Sequence, residues 1–109
     1  MKEPTPPQTH EEFVKRYPEL GQAWELIARA GRNGPLDERT ARLVKLGIAL
    51  GAMREGAVHA SVRKALAMGI SEAEIEQAVA LAAGTLGLPA AVAVYTWCRD
   101  LMEKGKEQG

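Results

Sequence analysis

Cysteine is all but missing from this sequence. Cys98 stands alone in 109 residues, which excludes an internal disulfide and any paired-thiol exchange, and agrees with a reducing, cytoplasmic setting. Histidine is scarce as well. His10 and His59 lie in distant segments and fit no zinc-binding spacing, so no metal site is expected. With only 2 Trp, 2 Tyr and 1 Phe there is little for stacking on bases. Neither sign of charge dominates: 14 Lys and Arg balance 14 Asp and Glu. That removes the electrostatic footprint of a nucleic-acid or anionic-membrane binder. The start, Met1-Lys2-Glu3-Pro4-Thr5-Pro6-Pro7, has no apolar core, so no signal peptide is expected. No stretch alternates with period two for long enough to be a strand, and a strand-borne phosphate loop is excluded with it.

What is present is helical periodicity. At this length one domain is expected over residues 1–109, with an extended proline-rich arm over 1–8 and a frayed tail over 105–109. Thr9-His10-Glu11-Glu12 reads as a capping box opening a short helix to Arg16, which Tyr17-Pro18 ends. A second helix runs from Pro18 to about Ala30, with Leu20, Trp24, Ile27 and Ala28 inward and Gly31 as its stop. Asp37 caps a third, to about Ala52, with Leu43, Leu46, Gly47 and Leu50 inward. Val44 and Ile48 form a second apolar flank, as in a helix sandwiched between neighbours, and Gly47 and Gly51 suit close helix approach. Ser71-Glu72-Ala73-Glu74 is a second capping box and opens a fifth helix, with Ile75, Val79 and Ala82 inward. A sixth runs from Pro89 to about Lys104, packing through Val92, Tyr95, Trp97 and Leu101. The fold class is therefore all-α, of about six helices.

Ala78 to Cys98 contains no charged residue and has the length of a membrane span. Gly84, Gly87 and Pro89 interrupt it, so a buried helical hairpin is the better reading. A chain this small cannot bury such a hairpin alone, which points to a homo-oligomer.

The fourth helix, from about Arg54 to a stop at Gly69, organises the rest. Val58, Val62, Ala65 and Leu66 form its buried stripe. Beside them Glu55, His59 and Arg63 follow at intervals of four and so stack along one face. As a site, the carboxylate orients the imidazole, the imidazole moves a proton, and Arg63 holds an anion. As structure, the same column is a row of surface pairs worth a few tenths of a kcal/mol each. Ser61 has no base at helical spacing and is weak as a nucleophile. Cys98, flanked by apolar residues within a helix, reads as an inert small hydrophobe. Trp24 and Trp97 read as core or interface residues.

Leu36-Asp37-Glu38-Arg39-Thr40, Leu46-Gly47-Ile48-Ala49-Leu50-Gly51-Ala52, the central helix, Gly69-Ile70-Ser71-Glu72-Ala73-Glu74-Ile75 and Ala83-Gly84-Thr85-Leu86-Gly87-Leu88-Pro89-Ala90-Ala91 together resemble the carboxymuconolactone decarboxylase/alkylhydroperoxidase D-like family. The resemblance spans roughly residues 20–102. It implies an alkylhydroperoxidase D-like helical domain in a ring-shaped homo-oligomer, a trimer or a hexamer made of two trimers. In the redox-active branch the central helix opens with two cysteines three apart, followed by a histidine. Those positions here hold Arg54, Ala57 and Ser61, while Glu55 matches the glutamate between the cysteines and is implied in proton relay. The resemblance to the branch lacking the cysteine pair implies cofactor-independent decarboxylation of a small anionic lactone. On that reading Glu55 and His59 are catalytic candidates, and Arg54, Arg63 and Ser61 candidates for substrate binding. A peroxidase resting on Cys98, and an oligomeric binding protein that has kept the fold without the chemistry, are the alternatives.

Overall fold

A computed structural model describes the backbone of residues 6–108 and the side chains of residues 8–104. Every regular element among them is a helix: α1 (Pro6–Arg16), α2 (Pro18–Arg32), α3 (Glu38–Ala52), α4 (Glu55–Ala67), α5 (Glu72–Leu86) and α6 (Leu88–Gln108). The all-α reading and the count of six helices both hold. Contacts divide the chain into two compact units, Met1–Pro35 and Leu36–Gly109.

In the first unit α1 and α2 form a hairpin. Pro18 starts α2, Phe13 and Tyr17 place their ring centroids 5.3 Å apart, and a Cβ at Gly21 would come within 3.2 Å of Val14. Three expectations are corrected here. Helix α1 begins at Pro6, so Thr9 lies inside the helix and is not its N-cap. Proline suits the first helical turn, where its missing N–H has no partner to lose, and Pro6-Pro7 start the helix early. Residues 1–5 of the expected arm lie outside the described residues. Helix α2 runs on past Gly31 to Arg32 and buries no residue. Its supposed inner face stays open, with Leu20 at 52%, Trp24 at 59% and Ile27 at 63% exposure, because α1 is its one neighbour in the unit.

The second unit is a four-helix arrangement. Helix α3 borders α4 and α5, α6 borders the same two, and α4 meets α5 only slightly across the diagonal. Local signals set the corners. The Asp37 carboxylate accepts the Thr40 N–H at 2.7 Å to start α3. The Ser71 hydroxyl accepts the Glu74 N–H at 3.1 Å, and the Glu74 carboxylate accepts the Ser71 N–H at 2.9 Å. Gly69 (φ 87°) and Gly87 (φ 85°) take the left-handed region after α4 and between α5 and α6, where a Cβ would be strained. The interior gathers Leu46, Ala49 and Leu50 of α3 with Val58, Val62 and Ala65 of α4. Ile70, Ile75, Val79, Val94, Cys98 and Met102 complete it. Each fully buried Leu, Ile or Val contributes about 1.5–3 kcal/mol of apolar burial.

Further expectations are corrected. Val44 and Ile48 are 47% and 66% exposed, so α3 is not sandwiched within its unit. A Cβ on Gly47 or Gly51 would meet nothing within 4 Å, so these glycines mediate no close approach inside the chain. Helix α6 packs through Ala91, Val94, Cys98 and Met102, with Val92 exposed. The expected Tyr95, Trp97 and Leu101 lie partly buried against that core. Its backbone is helical to Gln108, past the Lys104 at which the sequence pattern ends the helix. Gly109 lies outside the described residues.

Candidate functional site

Helix α3 ends on Met53, a non-glycine residue in the left-handed region (φ 56°) that serves as its C-cap. A conformation this uncommon for a side chain of this size turns the chain sharply into Arg54, the N-cap of α4. Arg54 gives α4 no side-chain cap, and its carbonyl accepts the Val58 N–H at 2.9 Å. Glu55 is the first helical residue and is exposed, where the positive end of the helix dipole favours a carboxylate. One turn on, His59 is half-buried. Its Nε2 is out of solvent's reach and has no hydrogen-bond partner. Another turn on, Arg63 is exposed.

The spacing thus aligns Glu55, His59 and Arg63, but the single chain does not connect them. Among the described residues the ion pairs are Arg39–Glu74 and Arg99–Glu103, and neither involves the column. Ser61 is buried at 7% exposure. It lies two positions beyond His59, roughly 200° round the helix, in the stripe of Val58, Val62 and Ala65. The surface of the described residues carries at least two grooves. One is lined by Thr9, Glu12, Phe13, Lys15 and Arg16 of α1. The other, of about 410 Å³, runs between Leu43 and Gly47 of α3 and Ala78, Leu81 and Ala82 of α5. Neither includes a residue of the column.

The orphaned Nε2 is the chemically informative feature. A buried polar atom without a partner costs about 1–3 kcal/mol, and such atoms call for an explanation. The imidazole can exchange a proton with a ligand once the ring turns or its cover moves to let the two meet. Thiol chemistry has no comparable support. Cys98 is fully buried, and that burial pushes its thiol up to about 11, so almost none is thiolate at neutral pH. No group of three or more His, Cys, Asp or Glu side chains converges among the described residues. No helix among them is long and apolar enough to cross a membrane.

Sequence reasoning passed over Arg42 and Lys64. Helix packing brings them together, and the Arg42 Nε is a second buried nitrogen without a partner. Only their basic character was legible; their meeting depends on tertiary contact.

The sequence profile of the carboxymuconolactone decarboxylase family matches residues 18–100. This chain belongs to the carboxymuconolactone decarboxylase family. A carboxymuconolactone decarboxylase family protein from Legionella pneumophila, solved in its apo form, superposes with a TM-score of 0.77. The match covers 87% of this chain and 86% of that one at 20% identity, so it speaks for the fold alone. No curated protein matches the chain. Family membership supports a carboxymuconolactone decarboxylase-like or alkylhydroperoxidase D-like protein. Neither position of the thiol pair is a cysteine.

Proposed function

We propose that this family member performs cofactor-independent acid–base chemistry on a small anionic substrate of the lactone-carboxylate class. The observation that carries the proposal is the shielded, unpartnered Nε2 of His59, set one helical turn from Glu55 and one from Arg63. Loss of carbon dioxide from such a substrate leaves an electron pair as an enolate, which must be protonated. A protonated His59 supplies that proton, and general acid catalysis of this kind is worth about 10²–10⁴-fold. Glu55, one helical turn away, is placed to orient the imidazole, while Arg63 and Arg54 neutralise the substrate carboxylates. Ser61 is left to the core. The working form is a homo-oligomer, a trimer or a hexamer, in which a neighbouring subunit closes the site over α4. The lone buried cysteine agrees with a reducing, cytoplasmic setting.

The test is binding and turnover of carboxymuconolactone and related small lactone carboxylates by the purified oligomer. His59→Ala is expected to lower turnover about 100-fold or more, and Glu55→Gln to lower it less. If the protein neither binds nor turns over these compounds, and neither substitution changes ligand affinity, the non-catalytic binding-protein reading replaces this one.

A further inference from the structure

A second group of cations lies on the α3–α4 side of the same unit. Arg42 and Lys45 are one turn apart on α3, and Arg63 and Lys64 are adjacent near the end of α4. The two helices pack against each other and are joined only through Met53 and Arg54, which makes them antiparallel and sets the start of α3 against the end of α4. Burial, then the like charges of Arg42, Lys45 and Arg63, hold the Lys64 ammonium below its ordinary pKa. Among the described residues no carboxylate closes an ion pair with any of the four. Glu38, one turn before Arg42 and well placed by helical spacing, does not do so. The chain as a whole is charge-balanced, 14 against 14, so a surplus of bases does not account for this grouping. Nearby Arg39 already has its acid in Glu74.

We propose that Arg42, Lys45 and Lys64, with Arg63 at the edge, form a binding site for a compact dianionic oxyanion, a phosphate group free or on a small molecule. A single carboxylate neutralises one charge of such a cluster; a phosphate dianion meets several cations at once through three outward oxygens. Arg42 is the key donor. Its Nε–H is shielded and unpaired in the present rotamer, and turning outward gives that N–H and an Nη–H a fork that matches two phosphate oxygens. Lys64 and Lys45 add point charges. The site adjoins the Glu55–His59–Arg63 column and meets it at Arg63, but its core is distinct from His59, since Lys64 lies roughly 140° round the helix from that residue.

Inorganic phosphate is the first probe, with glycerol phosphate as the organic ester. Both are titrated into the full-length protein against chloride at equal ionic strength, followed by thermal unfolding and by phosphorus NMR line width. Phosphate is expected to raise Tm beyond the chloride control. Arg42→Gln and Lys64→Gln are each expected to weaken binding by about ten-fold or more, while His59→Ala leaves it intact. Tighter binding of the ester identifies an organic phosphate as the ligand, and equal binding identifies the free ion. Both Gln variants remove mutual repulsion and are expected to stay folded, which circular dichroism checks. The proposal is overturned if phosphate does no more than chloride, or if binding survives both Gln substitutions. It is equally overturned if His59→Ala abolishes binding, which would place the anion at the other site. A change of oligomer mass in the Gln variants, without phosphate binding, would assign the cluster to a contact between copies.

Discussion

Cys98 and Glu74 show how strongly surroundings set the chemistry of single residues here. The Cys98 thiol is buried within α6 and raised to about 11. It should therefore react with a thiol reagent only as fast as the protein unfolds, and labelling should accelerate sharply in denaturant. Fast stoichiometric labelling of the native protein would reopen the peroxidase reading. Glu74 is the opposite case. Its hydrogen bond from Arg39, followed by those from the Ser71 backbone and hydroxyl, lowers its carboxyl to about 2. A folded pKa below the unfolded one means that the contribution is complete above the unfolded value of 4.5 and is lost as pH falls toward 2. Urea midpoints measured from pH 6 to pH 2 should fall through that window, and Glu74→Gln should flatten the fall. Arg39 and Glu74 sit partly exposed, so the effect should shrink in high salt. The inertness of Cys98 was legible from its apolar flanks. The Arg39–Glu74 pair was not, since it joins residues 35 apart in the chain. His59 stands between these cases: helical spacing gave its neighbours on α4, but not the shielding of Nε2.

At the level of the element, starts and stops were the legible part of the fold because they are built from contacts three or four residues long. Asp37, Ser71 with Glu74, Gly69 and Gly87 all act where the sequence places them. Ser71→Ala removes the bond to the Glu74 N–H and should cost about 1 kcal/mol. In a double-mutant cycle with Glu74→Gln it should couple, because the two side chains form one reciprocal cap. Gly69→Ala places a Cβ at φ 87° and should cost about 1–2 kcal/mol, although open space surrounds the site. A loss well below that in urea unfolding would mean that the turn relaxes. Helix faces were less legible. Apolar periodicity announces a stripe to be covered but does not say by what. Leu20, Trp24 and Ile27 on α2, and Val44 and Ile48 on α3, satisfy the pattern yet stay open in the single chain. On α6 the buried row of Ala91, Val94, Cys98 and Met102 begins one position from Val92, and a shift of that size suffices to misplace a face. Thr9 was misread for a related reason: its capping pattern is sound, but two prolines upstream start the helix first.

For the whole molecule, those uncovered stripes carry the argument for association. In the unit holding α3 to α6, Val44 and Ile48 of α3, Leu81 of α5, and Leu88 and Val92 of α6 are between 47% and 73% exposed. The groove beside Leu81 is lined by Leu43, Gly47, Ala78 and Ala82, with Glu74 and Gln77 as its polar members. Large apolar side chains left exposed on three helices suit an interaction surface, and Gly47 and Gly51 leave room above α3 for another backbone to approach. A second copy of the chain is the occupant expected from the oligomer reading. The purified protein should then have a mass three or six times 11.8 kDa by light scattering at micromolar concentration. Leu81→Asp and Ile48→Asp should each weaken assembly by about 2 kcal/mol or more, as for a residue central to an interface. Helicity should be unchanged, because both side chains lie outside the core. If assembly completes the His59 site, the dissociated variants should also lose turnover although Glu55 and His59 are intact. A monomeric wild-type protein, or full activity in a dissociated variant, would separate the chemistry from the ring and leave the His59 Nε2 to find its partner within one subunit.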